Sequence, residues 1–96
     1  MIVVRDVFQA KYGKTNDLVE LFLEAKRRFP ESPYTRILTD ASGPFFTVIA
    51  EAEVESLGAW EQKLSAIFAN PEFPTWFSRM EDLALSGKRE FYNIAS

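Results

Sequence analysis

The chain has no cysteine and no histidine. The first absence excludes disulfides, thiolate nucleophiles and Cys-ligated metals. The second removes the side chain that most readily moves protons near neutral pH, and Ser–His and Cys–His nucleophilic pairs with it. Glycine is scarce, with four scattered residues, so no Gly-rich phosphate loop is present. No apolar run approaches the ~20 residues that cross a bilayer, and the opening MIVVRD does not read as a signal peptide. A cytoplasmic protein without a membrane partner is the expectation. Positive charge is also short: the net charge is −3 and the basic residues are scattered, which leaves no footprint for nucleic acid.

Aromatic residues, by contrast, are abundant. Nine Phe, three Tyr and two Trp in 96 residues is a heavy load for a chain that has room for one domain, expected over residues 1–96. A domain of this size buries only ~60% of the surface its unfolded chain exposes, so some of these rings must serve an interface or a pocket as well as the core.

Residues 2–11 alternate as a strand, with Ile2, Val4, Asp6, Phe8 and Ala10 on one face and Val3, Arg5, Val7, Gln9 and Lys11 on the other. Thr15 or Asn16 is placed to cap a helix running to about Phe29, whose buried stripe is Leu18, Leu21, Phe22, Ala25 and Phe29. Lys26-Arg27-Arg28, the one basic run, falls at the helix C-terminus, where the macrodipole favours cations. Pro30 and Pro33 stop the helix, and Tyr34 to Asp40 reads as a second strand. After the turn signal Ala41-Ser42-Gly43-Pro44, Phe45 to Val54 returns as a third strand with one wholly apolar face. Ser56 is a suitable N-cap for a second helix carrying Leu57, Trp60, Leu64, Ile67 and Phe68. Asn70-Pro71 and Pro74 interrupt it, helix resumes near Thr75 with Trp76, Phe77, Met80, Leu83 and Ala84 inward, Gly87 fits its C′ position, and Lys88 to Ile94 closes as a fourth strand.

Two strand–helix–strand units in succession predict an α+β ferredoxin-like βαββαβ fold, with an antiparallel sheet of order 4-1-3-2 and the helices on one face. The other face then bears Val3, Val7, Phe45 and Ile49 among Arg5, Gln9, Thr47 and Glu51. A face this apolar is expected to pair with its copy in a homodimer.

The segments VVRDVFQAKYGKTNDLVELFLEAKRRF and EVESLGAWEQKLSAIFANPEFPTWFSRM carry a likeness over the whole length. The chain resembles the dimeric α/β-barrel superfamily, near its antibiotic-biosynthesis-monooxygenase-like and NIPSNAP-like branches. The resemblance implies two sheets closed into one barrel across a dimer, with ligand sites between sheet and helices. It spans cofactor-free oxygenases, haem-degrading enzymes and isomerases. The haem-degrading branch uses a strand-one Asn, a Trp on the second helix and a His ligand to iron. Here the strand-one position is Asp6 and no His exists, so neither haem nor another cofactor is expected.

Asp6 is the odd residue of its face, a carboxylate among Ile2, Val4 and Phe8. It is read either as a general base or ligand anchor in an apolar cleft, or as a structural group in an ion pair with Arg36 or Arg79 or hydrogen-bonded to the start of the second helix. Trp60 and Trp76 are candidates to roof a pocket, or core residues. Arg79 and Arg36 are candidates to steady an anionic ligand group, or solvent-facing cations. Glu51, Glu53 and Glu55 share a strand face but lack other ligand types, so no metal site is expected. Two functions remain in play. One is a small dimeric enzyme, a cofactor-free oxygenase or isomerase with Asp6 as base and a small apolar or aromatic substrate. The other is a non-catalytic dimer that binds such a molecule or serves assembly.

Overall fold

A computed structural model describes residues 1–96. Strand β1 (Ile2–Ala10) leads to helix α1 (Thr15–Arg28). A short β2 (Arg36–Thr39) and a longer β3 (Thr47–Val54) follow, then helices α2 (Leu57–Ala69) and α3 (Phe73–Leu83), and the chain closes with β4 (Ala84–Asn93). The sheet is antiparallel in the order β2-β3-β1-β4, the same order as 4-1-3-2 read from the other edge.

The expected alternation of β1 holds, with Val4, Asp6 and Ala10 buried on the helix side. Facing them, Val48, Ala50, Ala52 and Val54 of β3 are all buried, and the apolar stripe of α1 closes over both strands. Phe22, 1% exposed, is the largest of the fully buried side chains and contributes about 1.5–3 kcal/mol through burial alone. A second, smaller cluster gathers Val4, Ala52, Val54 and Trp60 under α2.

Several boundaries differ from those expected. Helix α1 begins at Thr15 with Lys14 in the cap position, and neither Thr15 nor Asn16 caps it by a side-chain hydrogen bond. Ser56 does cap α2, its hydroxyl accepting from the backbone N–H of Ala59 at 3.1 Å. Strand β3 starts at Thr47 because Phe46 has φ 60°, a left-handed conformation that breaks the strand and is uncommon for so bulky a residue. Asp40 closes this hairpin by accepting from the Thr47 N–H at 3.0 Å. Gly87 is no helix cap. Helix α3 stops at Leu83, the strand begins at the next residue, and Gly87 lies opposite Phe8 inside β4. A methyl group at Gly87 would meet the Phe8 ring at 2.7 Å, so the position is kept bare for that ring.

No helix covers the outer sheet face, where Val3, Val7, Leu38 and Ile49 are half-buried by their neighbours alone. Glu51 is nearly buried there between Arg36, whose Nε–H donates to it at 2.7 Å, and Arg5 at 3.5 Å. No helix is long and apolar enough to cross a membrane.

Candidate functional site

The buried carboxylate of Asp6 organises the helix side of the sheet. The register sets Arg89 of β4 directly beside it, and the two form a bidentate pair. The Nε–H of Arg89 donates to Oδ1 at 2.6 Å and an Nη2–H donates to Oδ2 at 3.1 Å. Tyr34, just ahead of β2, donates its hydroxyl to Oδ2 from the other side. To reach Asp6 its ring must span β3, roughly 10 Å at two strand spacings. The small side chains of Ala50 and Ala52 leave that path open, and Tyr34 packs against both halves of the core. Two strands and the segment leading into a third thus meet at one carboxylate, and a charge that would be costly alone is paired and hydrogen-bonded.

The electrostatics follow from this arrangement. Burial first, and then the Asp6 charge, push the Tyr34 phenol well above its ordinary pKa, so it stays a neutral donor. Hydrogen bonding to Asp6 raises the Arg89 guanidinium pKa, against an opposing effect of burial. The guanidinium also lies 5.0 Å from the centre of the Trp60 ring, which holds it by cation–π attraction. Trp60 is buried, and its indole N–H has no acceptor within the protein.

Over the triad lies a cleft of about 130 Å³, between the sheet and the α2–α3 pair. Asp6, Tyr34 and Arg89 are its polar groups, and Phe8, Phe73, Trp76, Phe77 and Met80 are among its apolar walls. It adjoins an open depression of about 240 Å³ bounded by Asp6, Phe8, Gly87, Lys88 and Arg89. The bare Gly87 lets Phe8 lie flat between the two. Trp76 is locked in place, its indole N–H donating to the Leu21 carbonyl at 2.9 Å.

Of the expected site residues, Asp6 and Trp76 line the cleft, and Trp60 stands behind Arg89. Trp60 and Trp76 belong to separate clusters of the core and do not form a shared roof. Arg36 and Arg79 are corrected: neither pairs with Asp6 nor reaches the cleft. Arg36 is on the outer face with Glu51, because odd and even positions of β2 face opposite sides. Arg79 sits outside, on Glu24 of α1, and ties α3 to that helix. The cation that does meet Asp6, Arg89, carried no sequence flag of its own. The predicted strand order held the clue, since β4 is the neighbour of β1 and an unpaired Asp6 needs a cation there. Glu51 is likewise spent on arginines, and no group of three or more acidic side chains could hold a metal ion.

No protein-family model matches the sequence, and no curated protein does. Solved structures do share its shape. An uncharacterized NIPSNAP domain protein from Burkholderia xenovorans superposes with a TM-score of 0.86 at 13% identity, covering 100% of this chain and 96% of its own. A NIPSNAP family protein from Agrobacterium tumefaciens gives 0.86 at 16%, covering 98% and 85%. An antibiotic biosynthesis monooxygenase-like protein from Nitrosomonas europaea gives 0.72 at 17%, over the full length of both chains. The chain therefore has the ferredoxin-like fold of the NIPSNAP-domain and antibiotic biosynthesis monooxygenase-like proteins; at these identities the likeness is one of fold.

Proposed function

We propose that the chain is a single-domain cytoplasmic protein that forms a homodimer through its outer sheet face and binds a small apolar or aromatic molecule in the cleft of each subunit. The observation that carries the binding half is the Asp6–Arg89–Tyr34 triad set as the polar floor of an otherwise aromatic cavity. A volume of about 130 Å³ suits one ring: an apolar cavity of ~150 Å³ takes up benzene. The dimer half rests on the uncovered outer face. Four strands about 4.8 Å apart, averaging about 26 Å in length because β2 is short, present on the order of 500 Å² per copy, or about 1,000 Å² for a pair. That meets the lower bound of a specific interface. The shallow groove of about 480 Å³ on this side, lined in part by Leu38, Pro44 and Ile49, gives a partner relief to fill.

The catalytic reading, a cofactor-free oxygenase or isomerase, draws on the monooxygenase-like structural neighbours and on Asp6 lining the cleft. It fits less well because Asp6 already accepts three hydrogen bonds, two of them from Arg89, which leaves one of its roughly four lone-pair sites, on Oδ1, for a substrate proton. Amide shifts on titration with ethylbenzene test the binding half. Phe8, Tyr34 and Phe73 should respond, and Met80→Trp, which fills the cleft, should abolish the response. A cleft that ignores the ligand overturns this half. Sedimentation at micromolar concentration tests the dimer, and a stable monomer overturns it.

A further inference from the structure

Resting on that binding reading, we propose that the cleft selects uncharged ligands: a single ring bearing a neutral acceptor oxygen, of the aryl ketone class, held by the free edge of Arg89. The guanidinium has five N–H donors in a rigid fork. Asp6 takes one from Nε and one from Nη2, while Nη1 makes no hydrogen bond within the protein. The Arg89 side chain is 38% exposed, and it borders both the cleft and the depression beside it. Trp60 beneath the guanidinium and Asp6 at its side hold the orientation of that edge. A donor fixed in this way and walled by phenylalanines recognises an oxygen at the rim of a flat ring.

Charge balance selects the neutral oxygen over the anionic one. Arg89 is cancelled by Asp6, and Tyr34 is a neutral phenol. Lys88, at the outer opening, is 3.5 Å from Glu90. No surplus positive charge faces the cleft. A carboxylate entering it would leave water for aromatic walls without a counter-charge, and Asp6 would oppose it from below. A carbonyl gains a charge-assisted hydrogen bond with little desolvation. The ring itself fits the volume of about 130 Å³.

Three probes of one shape separate the possibilities: acetophenone, benzoate and ethylbenzene, each titrated into the protein and followed by the amide shifts of cleft residues. Acetophenone should bind at least tenfold more tightly than either of the others. Asp6→Asn leaves the site with a net positive charge, and benzoate affinity should then rise at least tenfold. Ethylbenzene binding as tightly as acetophenone overturns the role of Arg89 but leaves the apolar cleft standing. Benzoate as the tightest wild-type ligand, or indifferent to Asp6→Asn, overturns the charge selection. No response to any of the three overturns the binding reading itself. Should Asp6→Asn fail to fold, Arg89→Lys keeps the charge and removes the fork. The preference for acetophenone over ethylbenzene should then fall to within about threefold, and a preference that survives overturns the proposal.

Discussion

Replacing either partner of the Asp6–Arg89 pair breaks its charge-assisted bidentate contact, yet the two losses should differ in cost. Asp6 has 3% of its side-chain surface exposed, whereas Arg89 has 38%. With Arg89→Met the carboxylate is stranded: it cannot reach water and keeps only the Tyr34 hydroxyl. Losing one partner of a buried pair in this way costs about 3–5 kcal/mol. With Asp6→Asn the shape survives, the side-chain oxygen still accepts from the Arg89 Nε–H, and the guanidinium turns its freed edge to solvent. The cost is then about 1–1.5 kcal/mol, the difference between a charged and a neutral hydrogen bond. The expected gap is about 1.5–4 kcal/mol. In urea, with a slope of about 2 kcal/mol/M, it appears as a midpoint about 1–2 M lower for Arg89→Met than for Asp6→Asn. Tryptophan fluorescence reports the transition, and protein concentration must be held constant because dimerisation adds to stability. Equal midpoints, or a lower one for Asp6→Asn, would refute the view that Asp6 is the member of the pair that cannot be solvated.

Three further outcomes follow from the same geometry. The Tyr34 phenol has a pKa raised by folding, so its contribution to stability is complete below the unfolded value near 10 and is lost as pH rises above it; Tyr34→Phe should flatten the loss of stability above about pH 10, and difference absorbance at alkaline pH should show Tyr34 ionising only as the chain unfolds. Gly87→Ala drives a methyl into the Phe8 ring and should cost about 1–3 kcal/mol in urea denaturation while weakening ethylbenzene binding, because Phe8 can retreat only toward the cleft. Arg79→Ala removes an exposed ion pair and should change stability by less than about 1 kcal/mol, with ethylbenzene affinity unchanged within twofold.

The fold was legible because each element carried its own period. Alternation marked β1 and β3, the Leu18–Phe29 stripe marked α1, and Ser56 marked the start of α2. The errors fell where local signals compete with tertiary ones. Gly87 looks like a helix terminator in sequence, but the ring of Phe8, far away along the chain, is the reason for it. Phe46 continues the β3 pattern in composition, yet its backbone turns left-handed at the hairpin. For the site, Asp6 was conspicuous because a carboxylate contradicts its apolar face. Its partners were not, because Tyr34 and Arg89 lie 28 and 83 residues away, one just outside β2 and the other on β4, where neither shows the clean apolar alternation of β1 and β3. Arginine on an edge strand is unremarkable until the register places it opposite an acid.

The junction at Leu83 and Ala84 has a mechanical consequence. Helix α3 passes into β4 with no linker, and the Leu83 carbonyl is tied to the Lys11 N–H at 2.8 Å. The aromatic ceiling of the cleft and the arginine in its floor therefore belong to one unbroken length of chain, anchored at its midpoint. Such a piece has no slack between roof and floor. The other end of α3 is held as well, Glu72 at its start being paired with Arg28 of α1, so roof and floor keep a fixed spacing and the cleft sets the size of what it can take.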